Sequence, residues 1–201
     1  MHFKIKIMDV AVENKYTRRN KIHPKKFALL AACASIVMMF TAFTSAYIVR
    51  QAAGNWLEFT MPTMFTLSTI TIILSSVALH ASYIFFKKGN PSLYRGLLLV
   101  SFILGFSFII MQYLGWQEMD QAMGISLGRN PAGDFVYVIS GVHAAHVLGG
   151  AAVLLVAIIQ AFALKYKVTE KRKLRFEMSL IYWHFVDFLW IYLFLFFTFQ
   201  R

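Results

Sequence analysis

Four ionisable residues stand inside long apolar stretches of this chain: His143 and His146 in one stretch, His184 and Asp187 in the next. Each pair is spaced i, i+3, which sets its two side chains on one face of a helix. Hydrocarbon tolerates such groups only where they face protein, meet partners or line water, so each is a candidate functional residue. At a rise of 1.5 Å per residue, His146 and Asp187 each lie about 16 Å from the start of their helices, which run in opposite directions. In a hydrocarbon core about 30 Å thick both reach the middle, so the two pairs are expected to meet across the helix interface. Three chemistries are open to them. Carboxylate and imidazoles can form a hydrogen-bonded cluster that fixes packing. Their nitrogen and oxygen donors also suit zinc or iron. A proton-conducting or lipid-headgroup role is the third. His80, near the end of an earlier apolar stretch, is read separately as an interfacial histidine.

Trp183, with Tyr182 and Trp190, flanks the second pair, and the N–H or O–H of such rings wants a polar partner or an interface. Gly141, Ala145 and Gly149 recur at four-residue spacing around the first pair. Small residues in one stripe let a second helix come close, which makes this a predicted packing face.

The elements that must hold these residues are legible in the hydropathy. Of 201 residues, 59% are hydrophobic and 14% charged, with a mean hydropathy of +0.61. A soluble domain carries roughly a quarter charged residues. A spanning helix needs about 20 mostly apolar residues. Five segments qualify: 27–49, 63–86, 94–114, 135–164 and 176–199. The fold expected is an all-α membrane bundle of five transmembrane helices, residues 27–201 forming one domain behind a basic arm, 1–26. The 135–164 segment exceeds the hydrocarbon thickness and is expected to tilt or project beyond it. Gly89-Asn90-Pro91 predicts a tight turn between the second and third spans.

Lys and Arg fix the expected orientation. The N-terminal arm, the 87–95 turn and the 165–175 loop share one side and hold 17 of them, against Arg50, Arg129 and Arg201 opposite. Basic residues resist translocation, which puts the N-terminus in the cytoplasm and the C-terminus outside. The net charge of +11 therefore belongs to loops flanking spans and gives no reason to expect nucleic acid. The single cysteine, Cys33, lies in the first span, so no intrachain disulfide or cysteine metal cluster is expected. Residues 1–26 lack an apolar core of their own, and no cleaved signal is expected.

Two runs carry a resemblance. Ser140-Gly141-Val142-His143-Ala144-Ala145-His146-Val147-Leu148-Gly149-Gly150 is followed by Tyr182-Trp183-His184-Phe185-Val186-Asp187-Phe188-Leu189-Trp190. Together, in this order on the last two spans, they resemble subunit III of the haem–copper (cytochrome c and quinol) oxidases. The resemblance runs from about residue 27 to the end and takes in Ala46-Tyr47, Gln112 and Gly133-Asp134-Phe135. It implies a bacterial five-helix form that lacks two N-terminal helices of longer members and resides in the cell's inner membrane. It further implies a chain without haem or copper of its own, which packs against catalytic subunit I alongside subunit II. Such a chain holds phospholipid between helix groups and supports proton uptake and durable turnover. The choice between cytochrome c and quinol as donor is made in subunit II, and a larger respiratory supercomplex is a further possible partner.

One departure is plain. Many members carry a glutamate in the span matching the first one here, where this chain reads Ala34-Ser35-Ile36-Val37-Met38-Met39-Phe40. A second familiar glutamate, just after the glutamine, is replaced by Tyr113-Leu114-Gly115-Trp116. The expected function is thus an accessory, non-catalytic oxidase subunit. Its support cluster is His143, His146, Trp183, His184 and Asp187, with no catalytic or metal-ligating residue assigned. The alternatives are a membrane metalloenzyme using His143, His146, His184 and Asp187, or a small transporter. The transporter would want broken helices around a central site.

Overall fold

Apolar runs of this length become helices because hydrocarbon offers no water to satisfy backbone N–H and C=O groups. The computed structural model of the protein describes residues 23–200. Among them are five α-helices: α1 Pro24–Ala52, α2 Thr63–Lys88, α3 Pro91–Gln121, α4 Pro131–Ala163 and α5 Glu170–Phe199. No strand occurs among the described residues, and all five helices are long and apolar enough to cross a membrane. The protein is a multi-pass membrane bundle. Residues 1–22 of the basic arm and Arg201 lie outside the described residues.

The helices overrun the apolar segments that foretell them. α3 continues past Leu114 to Gln121, and α5 begins at Glu170 rather than Phe176. Hydropathy registers only hydrocarbon, whereas the hydrogen-bond ladder continues into the polar layer until a cap stops it. Asn90, Asn130 and Thr169 supply such caps, accepting from the N–H groups of Leu93, Ala132 and Arg172 at 3.3, 2.8 and 3.3 Å. Pro62, before α2, has no side chain for that task. Glu118 of α3 does it instead, accepting from Thr63 N–H at 3.3 Å and Met64 N–H at 3.4 Å. Gly89 ends α2 at φ +81°, a left-handed conformation that favours glycine, and the chain turns directly into α3.

Sequence neighbours do not all pack together. α2 lies against α3 and α5, α3 against α2 and α4, and α4 also against α5. α1 packs on α4 and α5 but not on α2, and it is the least buried helix, while α5 is the most buried. Two bonds between residues far apart along the chain tie this arrangement together: Tyr47 of α1 donates to the Gln200 carbonyl at 2.9 Å, and Gln112 of α3 donates to Ser68 Oγ of α2 at 2.8 Å.

Candidate functional site

The centre of the bundle is organised by Trp183, whose side chain is buried. Its Nε1 donates to Ser75 Oγ of α2 at 3.1 Å, and Ser75 in turn donates to the Ser101 carbonyl of α3 at 2.8 Å. The ring fits only because two neighbours lack side chains. A Cβ on Gly105 of α3 would stand 2.5 Å from Trp183 Cζ2, and one on Gly150 of α4 would stand 3.1 Å from its Cε3. Trp183 therefore joins α2, α3, α4 and α5.

The predicted small-residue stripe is only loosely covered among the described residues, where a Cβ on Gly149 would stand 3.9 Å from Tyr182 Oη. Ala145 and Gly149 are exposed, and a Cβ on Gly141 would approach Trp116 only to 3.9 Å. The close contact lies one residue round the helix, at Gly150. Four-residue spacing defines a stripe but not the direction in which it faces.

The two ionisable pairs, expected to meet at mid-depth, are not hydrogen-bonded to each other among the described residues. His143 is buried between aromatic rings, with centroids 5.1 Å from Trp190, 6.0 Å from Phe108 and 6.2 Å from Phe40. Neither ring nitrogen of His143 has a hydrogen-bond partner. His146 turns towards α1, its ring 5.8 Å from Phe40 and its Nδ1 2.8 Å from the Val142 carbonyl. Depth along a helix sets height alone; rotation about the axis decides what a side chain meets.

His184 and Asp187 face α2 instead. His184 Nδ1 bonds Ser76 Oγ, and its Nε2 lies 3.4 Å from Nδ1 of His80. His80, expected to be interfacial, is exposed and is the partner of His184. Asp187 is 4% exposed, and neither of its carboxyl oxygens has a hydrogen-bond partner. Ser76, His80, His184 and Asp187 share the wall of a groove of about 630 Å³ between α2 and α5. Among the described residues no three His, Cys, Asp or Glu side chains converge as a metal site.

A second groove, of about 840 Å³, runs along α1, α4 and α5. Its wall is mostly apolar, with Val153, Val156 and Phe176 along it, but Lys25, Arg172 and Arg175 stand at one end. Gly149 lines it too. At the same basic end, Glu177 of α5 pairs with Lys26 of α1 at 2.5 Å and accepts from Tyr83 Oη of α2 at 2.5 Å. Nothing in the spacing along the chain links Lys26, Tyr83 and Glu177; only the packing of α5 between α1 and α2 brings them together.

The chain is similar to known proteins over nearly all of the described length. The family model for cytochrome c oxidase subunit III matches residues 26–200. Cytochrome bo(3) ubiquinol oxidase subunit 3 of Buchnera aphidicola is 27% identical over 182 residues, which cover 89% of this chain and 93% of that protein. Cytochrome c oxidase subunit 3 of Rattus norvegicus is 29% identical over 128 residues, and that of Pelomedusa subrufa 30% over 129; each match covers 64% of this chain. The chain spans about half the length of these vertebrate relatives, 47% in both cases.

Proposed function

The chain belongs to the cytochrome c oxidase subunit III family, and from that premise we propose that it is the accessory, non-catalytic third subunit of a proton-pumping terminal oxidase. Oxygen is reduced to water in a partner, subunit I, with subunit II in the same complex. The single observation that carries this reading is the extent of the match, which takes in all five helices and both histidine-bearing runs. The complex sits in a bacterial inner membrane, a placement supported by the Buchnera relative. The end that carries Lys87, Lys88, Arg172 and Arg175 faces the cytoplasm, as the asymmetry of Lys and Arg favours.

The chain's part in the complex is to hold lipid and to brace subunit I, and through these to support proton uptake. Lipid binding is supported by the larger groove. An anionic phospholipid would lay its acyl chains along Val153, Val156 and Phe176 and meet Lys25, Arg172 and Arg175 with its phosphate. His143, His146, Trp183, His184 and Asp187 keep the helices that form the grooves in register. Trp183 is a central anchor, because it meets α2, α3 and α4 at once and hydrogen-bonds to α2.

Extraction in a mild detergent tests this function. The chain is expected to co-purify with a haem-bearing subunit, and harsher detergent is expected to release it with that subunit's haem spectrum unchanged. Purification as a lone chain holding one equivalent of tightly bound metal would instead support a membrane metalloenzyme.

A further inference from the structure

His80 is exposed on the outside of the bundle, yet it lies about 10 Å along α2 from Lys87, where the basic end of the helix begins. The Cα–Cβ bond of a helical residue tilts towards the helix N-terminus, so this imidazole leans away from Lys87 and deeper into the apolar span. Against that tilt the side chain is too short to reach the headgroup layer. His80 Nδ1 lies 3.4 Å from Nε2 of His184, whose Nδ1 bonds Ser76 Oγ. His80 Nε2 has no hydrogen-bond partner among the described residues, and acyl chains offer it none. A polar group at such depth is costly unless it faces protein or lines water. The chain of bonds sets what the partner must do. Where Ser76 donates to His184, His80 Nε2 is left as an N–H donor; where Ser76 accepts, His80 Nε2 is left as an acceptor. A group that both donates and accepts serves either arrangement.

The surface around His80 has the form of a seat for a helix. α2 presents Ile73, Val77, Ala81 and Ile84 to the groove and α5 presents Phe188 and Ile191, all at three- and four-residue intervals. The α2 row runs about 16 Å, or about three helical turns. Rows at that spacing receive the ridge of another helix, and a small residue such as Ala81 lets its backbone come close. Val77 and Phe188, on the two walls, are 61% and 73% exposed. No Lys or Arg lines the groove, so an anionic headgroup meets no cation there. The carboxyl oxygens of Asp187 are buried within the wall and take no part in the contact. A lipid chain would cover the apolar rows and leave His80 Nε2 unmet, whereas a helix with a polar side chain satisfies both.

We propose that the groove between α2 and α5 seats one transmembrane helix of another subunit of the complex, which offers His80 Nε2 an uncharged side chain that both donates and accepts, such as that of Ser, Thr, Asn or Gln. The inference rests on the reading of this chain as one subunit of a complex, and adds the face and the chemistry by which it is held.

Photocrosslinking from both walls tests it. Val77 and Phe188 are replaced, one at a time, by the photoreactive residue benzoylphenylalanine, and native membranes are irradiated before extraction in a mild detergent. Both positions are expected to form adducts with one and the same segment of a co-purifying subunit. His80→Leu is expected to lower the ratio of this chain to the haem-bearing subunit about threefold, the usual worth of one hydrogen bond between membrane helices. His80→Gln, which keeps a donor and an acceptor, is expected to restore the ratio. Where His80→Leu does not fold, the two adducts decide by themselves. Adducts with lipid alone, or with a second copy of this chain, overturn the proposal, while co-purification still upholds the oxidase reading. Adducts with two different segments, or a ratio indifferent to His80→Leu, overturn it as well. Absence of any co-purifying haem-bearing subunit overturns both.

Discussion

Trp183 occupies the space that a side chain on Gly105 would need: a Cβ there would lie 2.5 Å from Cζ2 and 2.6 Å from Cη2 of the indole. Neither a rigid ring held by its bond to Ser75 nor the α3 backbone yields cheaply. Gly105→Ala is therefore expected to destabilise the bundle by about 1–3 kcal/mol, as overpacking does. Gly96→Ala supplies the control, since a Cβ there meets nothing within 4 Å and glycine weakens a helix. It should be neutral or mildly stabilising. Thermal unfolding of both variants in one detergent checks the pair; similar losses would show that Trp183 does not set the packing.

Truncating the ring is the complementary experiment. Trp183→Ala opens a cavity between four helices and leaves Ser75 with one partner fewer, at a cost of about 3–5 kcal/mol. Trp183→Phe keeps most of the volume and loses the bond at 3.1 Å, so it should cost about 1–3 kcal/mol. Unfolding of the two variants by the same method gives the comparison, and a smaller loss for Ala than for Phe would contradict this account.

His143 invites the opposite outcome. It is buried among Trp190, Phe108 and Phe40, with neither ring nitrogen bonded. Replacing an unpaired buried polar group by an apolar one of similar volume is neutral or stabilising. His143→Leu is accordingly expected to match or exceed the unmodified protein in melting temperature. A fall of several degrees would mean that the imidazole has a bonded partner after all.

The Lys26–Glu177–Tyr83 contact at the basic end should matter little to stability. The Lys26 and Glu177 side chains are 31% and 21% exposed, so water and salt screen the pair. A double-mutant cycle on Lys26→Met and Glu177→Gln should yield a coupling of about 0.2–1 kcal/mol that shrinks as salt is added. A coupling of several kcal/mol, insensitive to salt, would place the pair in a far drier setting.

Arg172→Ala combined with Arg175→Ala should deplete anionic phospholipid from the purified complex and leave zwitterionic lipid unchanged. Each basic residue near a membrane surface contributes about 1 kcal/mol towards anionic lipid, so the pair is worth about 30-fold in retention. Lipid mass spectrometry after detergent exchange reads this directly. Unaltered anionic lipid would remove the larger groove as its site.

The sequence by itself determined how many times the chain crosses the membrane and where. It also determined the family, because the two histidine-bearing runs are long contiguous strings. Both are local properties: hydropathy accumulates over about 20 consecutive residues, and a string needs no partner to be recognised. Helix ends were less legible, since Glu118 caps α2 from the far end of α3. What only the tertiary structure decided is the rotation of each helix about its own axis. Spacing put His143 beside His146 and His184 beside Asp187, and rise per residue put both pairs at one depth. Rotation then turned His143 onto Trp190 and turned Asp187 into the groove that His184 shares with His80. It likewise left Gly149 exposed and set Gly150 against Trp183. In a helix that is apolar all round, the hydrophobic pattern gives no preferred face. The azimuth is settled by which side chains leave room for Trp183, and that depends on residues of α2, α3 and α4 far away along the chain.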